Sequence, residues 1–197
     1  MKLDARCLKL EFIILTMNKN FLILILGMSI LTLTAKTLQA QEAPVPDKYG
    51  FIVRVGQTAP DFTIRYADGR KSEKLSDLRG QVVVLQFTAS WCGVCRKEMP
   101  HLEALWQQLK NKNFRLIGVD LKESREKTLG FARTMKITYP LALDPDGSVF
   151  YQYAAKNAGV TRNIVIDKTG RIVYLTRLYN EDIFDGMVNK LEELLSE

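Results

Sequence analysis

The hydrophobic pattern in the middle of the chain predicts a buried strand followed by an amphipathic helix. The stretch Val82-Val83-Val84-Leu85-Gln86-Phe87 is almost continuously apolar, as expected for a strand that is covered on both faces. Between residues 96 and 110 the apolar positions change to helical spacing, and they are Met99, Leu102, Leu105, Trp106 and Leu109. A strand that runs directly into a helix is typical of an α/β domain.

The rest of the chain beyond residue 50 predicts further elements around this unit. Asp68-Gly69 is a hairpin signal between two short apolar stretches. Ser124 is a predicted N-cap for a helix that reaches Met135. We also expect strands at 114–120, 141–143, 163–167 and 171–174, a short helix at 147–155, and a C-terminal helix with Ile183, Met187, Leu191, Leu194 and Leu195 in its apolar face.

The N-terminal region has a different pattern, which we interpret as a secretory signal peptide at 1–40. An apolar run at 21–33 follows a basic Met17-Asn18-Lys19 start and precedes Ala40, the expected cleavage site. The run is shorter than the roughly 20 apolar residues that a membrane-spanning helix usually needs. Met17 is the start that best fits such a leader.

An uncleaved leader is the alternative, because Leu38 is large for a residue near a cleavage site. In that case residues 1–40 anchor the protein to the membrane. Residues 41–50 are expected to form a flexible linker, and residues 51–197 a single domain.

Composition and charge agree with one globular domain and argue against nucleic-acid binding. The chain has 197 residues, of which 47% are hydrophobic and 25% charged. The full chain carries 28 basic and 22 acidic residues, and the segment 1–40 holds five and two of these, so the remainder has a net charge of +3. These charges are spread without a basic cluster, which a nucleic-acid interface would require.

Beyond the leader, Cys92 and Cys95 are the only cysteines, so a disulfide within the domain can form only between them. A bridge across so short a loop adds little stability, because the constraint on the unfolded chain grows with loop length. A lone Cys-x-x-Cys also supplies only half of a zinc site. A redox role is therefore favoured over metal binding and over an inert pair. Cys92 would lie at a helix N-terminus, which stabilises a thiolate.

The segment Trp91-Cys92-Gly93-Val94-Cys95, followed by Pro100, resembles the active site of thioredoxin-fold proteins. The stretches 55–62, 75–80, 97–100 and 139–144 narrow the resemblance to exported thiol-disulfide oxidoreductases of the TlpA/ResA type, within the thioredoxin and peroxiredoxin group. It covers roughly residues 51 to 195. The resemblance implies a thioredoxin fold, a three-layer αβα arrangement with a central mixed sheet, an N-terminal β-hairpin and a β-α insertion.

The resemblance also implies a function. Cys92 is the expected nucleophile and Cys95 the resolving cysteine of a reversible disulfide, with no cofactor and no metal. The expected partners are disulfide-containing envelope proteins, including oxidised haem-attachment cysteines, and a membrane electron donor. We expect a monomer in the periplasm or an equivalent extracytoplasmic space, without nucleic-acid partners. The family favours a reductase, but Gly93 and Val94 do not fix the direction of electron flow.

Two positions depart from the pattern of thioredoxin-fold proteins. Thioredoxins carry a buried acid where this chain has Gln86, which cannot accept a proton at neutral pH. Glu98, one turn after Cys95, matches the acid of ResA-like proteins that tunes the cysteine pair, the alternative being a solvated carboxylate. Thr161 stands where the fold normally has a cis-proline facing the disulfide. Because a non-proline cis bond costs roughly 2.5–4 kcal/mol, we expect a trans peptide there.

Further residues are candidates for the wall of the site. Trp91 is expected to pack beside the cysteines, with direct partner contact as the alternative. Arg162 is interpreted as an exposed residue that steers an acidic partner or is simply solvated. Gly93, Val94 and Thr161 complete the expected wall.

Two alternative functions use the same fold. A peroxiredoxin would need Thr or Ser at position 89 and a proline further upstream, but the chain has Ala89 and Leu85. A copper-delivery protein would need a three-residue cysteine spacer and a distal histidine, and the sequence has neither. The missing cis-proline keeps weak metal binding open as an alternative.

Overall fold

The computed structural model describes residues 47–196. The predicted signal peptide and its cleavage site lie outside the described residues, as does most of the predicted linker.

A five-stranded mixed sheet forms the centre of the domain, with strand order β5-β4-β3-β6-β7. The strand β3 pairs in parallel with β4 and antiparallel with β6, while β5 extends the parallel side and β7 the antiparallel side. The strands are β3 (Val82–Thr88), β4 (Phe114–Leu121), β5 (Leu141–Asp144), β6 (Arg162–Ile166) and β7 (Ile172–Arg177). The central position of β3 explains its nearly continuous apolar sequence, because both of its faces are buried.

A small hairpin of β1 (Thr63–Ile64) and β2 (Glu73–Lys74) precedes the sheet. Gly69, in the loop between them, has a φ of 85°, which glycine adopts without the penalty that a side chain would bring. The predicted hairpin is therefore confirmed.

Three helices cover one face of the sheet. They are α1 (Gly93–Leu109), α2 (Arg125–Met135) and α3 (Glu181–Ser196). Val82 and Val84 on β3 point into the core cluster of the helices. Val83, Leu85 and Phe87 alternate with them and point into the cluster on the other face. Ser124 is the N-cap of α2, as predicted, and accepts the backbone N–H of Lys127 at 3.3 Å.

The other face is covered by the segment from Phe51 to Ala59, the hairpin and a 3₁₀ turn at Phe150–Gln152. The sequence predicts a longer helix at 147–155 in place of this turn. Two successive backbone N–H groups, of Val149 and Phe150, donate to the carboxylate of Asp144 at 3.0 and 2.8 Å. Phe150 and Tyr153 are both buried, and their three-residue spacing fits the tighter turn better than an α-helix. The predicted helix at 147–155 is therefore wrong in type and length.

The active-site segment follows the carboxyl end of β3, where the chain turns into α1. Within residues 47–196, no helix combines the length and the apolar character needed to cross a membrane.

Candidate active site

Cys92 and Cys95 form a disulfide at the N-terminus of α1, with their Cα atoms 5.3 Å apart. Cys92 is the N-cap residue, and its sulfur accepts the backbone N–H of Cys95 at 3.1 Å. Cys92 is 8% exposed and Cys95 is fully buried, so Cys92 is the more accessible of the two cysteines. The helix N-terminus directs N–H groups and the positive end of the dipole toward a Cys92 thiolate.

Thr161 faces the disulfide from the loop before β6. Its hydroxyl oxygen lies 3.0 Å from Sγ of Cys92 and 3.2 Å from Sγ of Cys95. Disulfide sulfurs carry no hydrogen, so the hydroxyl is the donor in this state. None of the peptide bonds in residues 47–196 is cis, which agrees with the trans bond predicted before Thr161.

Glu98 lies one turn after Cys95 and is 1% exposed, so the alternative of a solvated carboxylate is wrong. Its Oε1 accepts the side-chain amide of Asn163 at 2.6 Å, and its Oε2 accepts that of Gln86 at 3.3 Å. Burial raises the pKa of Glu98 to about 7, although the two hydrogen bonds favour the ionised form. The carboxyl group can therefore gain or lose a proton near neutral pH.

The two amides that contact Glu98 belong to a longer buried network. Gln86 on β3 lies directly opposite Asn163 on β6 in the antiparallel ladder. Tyr139 donates its hydroxyl to Oε1 of Gln86 at 2.8 Å, which orients the amide hydrogens of Gln86 toward the carboxylate. The amide of Asn163 also donates to the hydroxyl of Thr176 at 2.9 Å.

Sequence reasoning missed Asn163. The available signal was its polar side chain next to the apolar run Ile164-Val165-Ile166, while its pairing with Gln86 is seen only in the structure.

A second buried carboxylate holds the loop that leads to Cys92. Glu123 accepts the backbone N–H of Ser90 at 2.7 Å and its hydroxyl at 2.6 Å, and it pairs with Lys127 at 2.5 Å. Burial alone would raise the pKa of Glu123, but Lys127 and Ser90 lower it below the usual value. Sequence reasoning also missed this contact, which joins segments 33 positions apart.

Asp120 lies near Glu123 and is fully buried. Neither of its carboxylate oxygens has a hydrogen-bond partner within the described part of the chain. Burial and the nearby charge of Glu123 raise the pKa of Asp120.

The remaining wall candidates divide between the surface and the interior. Trp91 is 63% exposed, so most of its surface is available for contact. Gly93 is also exposed, while Val94 is half-buried against the core.

Arg162 is fully buried, which contradicts its interpretation as an exposed, partner-steering residue. Its guanidinium lies 4.4 Å from the ring centroid of Phe51 and 5.4 Å from that of Phe150. Alternation along β6 explains this placement, because Arg162 and Asn163 point to opposite faces of the sheet. Thr161 reaches the sulfurs while its neighbour enters the core.

No group of three or more histidine, cysteine or acidic side chains that could hold a metal ion occurs between residues 47 and 196. The groups that the structure brings together at the site are two sulfurs, one hydroxyl, the N-terminus of α1 and a buried carboxyl group.

Comparison with known proteins agrees with this geometry. Residues 55–175 match the AhpC/TSA family. The thiol-disulfide oxidoreductase ResA of Bacillus cereus is 31% identical over 121 residues, covering 61% of this chain and 68% of the relative. ResA of Bacillus subtilis is 30% identical over 138 residues, covering 70% of this chain and 75% of the relative.

A solved structure gives a stronger match in sequence. The solution structure of a candidate protein disulfide isomerase from Bacteroides thetaiotaomicron shares 55% sequence identity, with a TM-score of 0.73, and the match covers 77% of this chain and 96% of that one. Together with the disulfide at the start of α1, these matches show that the chain belongs to the AhpC/TSA family and is a ResA-like, thioredoxin-fold thiol-disulfide oxidoreductase.

Proposed function

We propose that the protein is exported and reduces disulfides in envelope proteins. The observation that carries the proposal is the unequal exposure of the two cysteines: Cys92, the N-cap of α1, is 8% exposed, whereas Cys95 is fully buried. This difference supports a first attack by Cys92 on the partner and a later step by Cys95.

In the first step, the Cys92 thiolate attacks one sulfur of the partner disulfide. A bond forms between Cys92 and that sulfur, the partner disulfide breaks, and the other partner sulfur leaves as a thiolate. In the second step, Cys95 attacks Sγ of Cys92 and releases the first partner sulfur. The partner gains two electrons and, with protons from the enzyme and solvent, becomes a dithiol, while the enzyme keeps the Cys92–Cys95 disulfide.

Glu98 is the proposed proton acceptor for Cys95. Residues three apart on a helix lie on the same face, and both side chains are buried there. Because the pKa of Glu98 is about 7, a substantial fraction of the carboxyl groups is ionised at neutral pH and can take the Cys95 proton.

The exposed ring of Trp91, adjacent to Cys92, is the proposed contact surface for the partner. Buried aromatic area supplies much of the energy of a protein interface, and Trp is enriched among such contacts. A membrane electron donor would then return the disulfide to the dithiol, which is needed for repeated reduction. The predicted leader supports a periplasmic or equivalent extracytoplasmic location.

A trapping experiment tests the proposal. The reduced Cys95→Ser variant should accumulate a mixed disulfide with a protein substrate through Cys92, because the resolving sulfur is absent. The matched Cys92→Ser variant should trap nothing. Trapping by Cys92→Ser, or full activity of that variant, would contradict the assigned roles.

The reduction potential of the Cys92–Cys95 pair in the wild-type protein tests the proposed direction of electron flow. A value near that of thioredoxin, roughly −270 mV, supports a reductase, whereas a value near −120 mV indicates an oxidant. Reactivation of a scrambled disulfide protein by Cys95→Ser at the wild-type rate would instead indicate an isomerase.

A further inference from the structure

We propose that the hydroxyl of Thr161 is a catalytic hydrogen-bond donor, which serves the Cys92 thiolate in the reduced enzyme and the Cys95 sulfur in the mixed disulfide. The inference rests on the proposed roles of the two cysteines. It concerns the exchange step itself, and it holds for either direction of electron flow.

The position of the hydroxyl is the first argument. Oγ1 of Thr161 lies 3.0 Å from Sγ of Cys92 and 3.2 Å from Sγ of Cys95, so one donor is within reach of both reacting atoms. Hydrogen bonds to sulfur are longer than those to oxygen because the sulfur atom is larger. The two contacts are nearly equal in length, so rotation about the Cβ–Oγ1 bond of Thr161 redirects the O–H group from one sulfur to the other while the hydroxyl keeps its proton.

The second argument is the supply of donors to each sulfur. Sγ of Cys92 also receives the backbone N–H of Cys95 at 3.1 Å. For Sγ of Cys95, the hydroxyl of Thr161 is the only hydrogen-bonding neighbour within residues 47–196. The buried sulfur therefore depends on Thr161 for stabilisation of its charged form.

The third argument is that the backbone of Thr161 is held in place. Its carbonyl oxygen accepts the backbone N–H of Leu178 at 3.2 Å and the guanidinium of Arg177 at 3.1 Å. Thr161 is only 3% exposed, so water competes little for its hydroxyl. A donor that is already positioned and desolvated stabilises a developing charge without reorganisation.

The hydroxyl has a single proton, and the exchange reaction uses it at one sulfur at a time. When Cys92 attacks a partner disulfide, its negative charge moves to the leaving partner sulfur and Cys92 no longer needs the donor. Once Cys95 has lost its own proton, the hydroxyl can donate to the Cys95 thiolate, which then attacks Cys92 and expels the partner. The hydroxyl keeps its proton throughout, so the balance of electrons and protons is that of the exchange reaction.

The test compares Thr161→Val, which removes the hydroxyl with little change in shape, with Thr161→Ser, which keeps it. Exposed Thr63 on the hairpin provides the control Thr63→Val. The measurement is the rate at which the reduced proteins attack oxidised 2-mercaptoethanol, a small disulfide without titratable groups, between pH 4 and 10. The ultraviolet absorbance of the thiolate is followed in parallel.

We expect Thr161→Val to raise the pKa of the Cys92 thiol by about one unit, because a hydrogen bond to a charged group is lost. Below the pKa the thiolate fraction falls about tenfold, but the more basic thiolate is roughly threefold more nucleophilic. The variant should therefore be about threefold slower in acid and about threefold faster in alkali, so its pH–rate curve crosses that of the wild type. Thr161→Ser and Thr63→Val should follow the wild-type curve.

A curve for Thr161→Val that is lowered equally at every pH, or one that is unchanged, would overturn the donor role. If wild-type Cys92 itself titrates like an ordinary thiol and reacts no faster than one, the proposed nucleophile fails, and that outcome is distinct from failure of Thr161 alone. The second step, the attack of Cys95 on the mixed disulfide, is measured by the release of thiol from a preformed mixed disulfide of Cys92. Thr161→Val should slow this release at neutral pH by severalfold, and an unchanged rate would contradict donation to Cys95.

Discussion

The side-chain amide of Asn163 lies 2.6 Å from Oε1 of Glu98, and Asn163 occupies the strand position directly opposite Gln86. Two amides on paired strands thus hold one buried carboxylate on the active-site helix. Desolvation favours the neutral acid, and the amides favour the anion, so the pKa of about 7 is a balance between the two effects. Substitutions that remove the carboxyl group or one of the amides should therefore change the pH dependence of the protein or the pKa of Glu98.

Replacement of Glu98 by Gln should flatten the dependence of stability on pH. The pKa of Glu98 is near 4.5 in the unfolded chain and about 7 in the folded protein. The buried Glu98 is least costly to the folded protein below pH 4.5, where it is protonated in both states. The free energy of unfolding then falls as the pH rises to 7, because the unfolded chain releases the Glu98 proton first. At about 1.4 kcal/mol per pKa unit, the loss is on the order of 3 kcal/mol.

Urea unfolding of the oxidised protein between pH 4.5 and 8 measures this effect. Glu192→Gln, at an exposed position of α3, is the control and should keep the wild-type slope. Some slope should remain in Glu98→Gln, because burial raises the pKa of Asp120 in the same direction. An unchanged slope in Glu98→Gln would show that this carboxyl group titrates normally in the folded state.

Replacement of Asn163 by Leu should raise the pKa of Glu98 further. The substitution keeps the branched shape of the side chain but removes the shorter of the two hydrogen bonds to the anion. A hydrogen bond to a charged group is worth about 1.5–3 kcal/mol, so a rise of about one to two units is expected. The carboxyl chemical shift of Glu98, followed against pH by carbon NMR, reports the pKa.

Thr176→Val is the matched control for Asn163→Leu, since Thr176 contacts Asn163 and has no hydrogen bond to Glu98 within the described residues. It should shift the pKa of Glu98 less than Asn163→Leu does. A fall in the pKa of Glu98 on loss of Asn163 would be incompatible with stabilisation of the anion by this amide.

Replacement of Glu123 by Ala should loosen the loop before Cys92. Both the backbone N–H and the hydroxyl of Ser90 lose their acceptor, at a cost of about 1–3 kcal/mol. Ser90→Ala loses only the hydroxyl contact and should cost less. Hydrogen exchange of the Ser90 amide should accelerate strongly in Glu123→Ala and only slightly in Ser90→Ala, and equal acceleration in both would contradict a role for the backbone contact.

Local sequence patterns were sufficient to predict the strand–helix unit that carries the cysteines. The apolar run at 82–87 and the helical spacing between residues 96 and 110 depend only on neighbouring residues, as does the place of Cys92 at the helix N-terminus. The structure confirms all three. The prediction of a helix at 147–155 is wrong because the carboxylate of Asp144 holds the backbone in a tighter turn. That contact is a matter of side-chain geometry, which hydrophobic spacing does not encode.

The polar parts of the site depend on contacts between distant segments. Glu98 was identified from its place after Cys95, but the role of Asn163 requires the register of β6 against β3, which the sequence alone did not provide. The burial of Arg162 likewise depends on Phe51 packing over it.

Arg162 supplies a last prediction, because its guanidinium is buried with incomplete hydrogen bonding. Nη2 donates to the carbonyl of Gly159 at 2.7 Å, but Nε and Nη1 have no partner among residues 47–196. Burial is the main cause that lowers the pKa of Arg162 to about 10, and the charge of Arg177 adds to it. The cost of desolvation is offset by stacking on Phe51 and Phe150.

Arg162→Met should therefore lie within about 1 kcal/mol of wild-type stability, since it keeps a long apolar side chain between the rings and removes the buried charge. Arg162→Lys should be clearly less stable than Arg162→Met, because an ammonium is more strongly hydrated and cannot stack as a plane. Urea unfolding ranks the stabilities of the wild-type protein and the two variants. Thiol-disulfide exchange with a protein disulfide should proceed at the wild-type rate in Arg162→Met. Slower exchange by a stable Arg162→Met variant would mean that this arginine supports the reaction after all, through the adjacent Thr161.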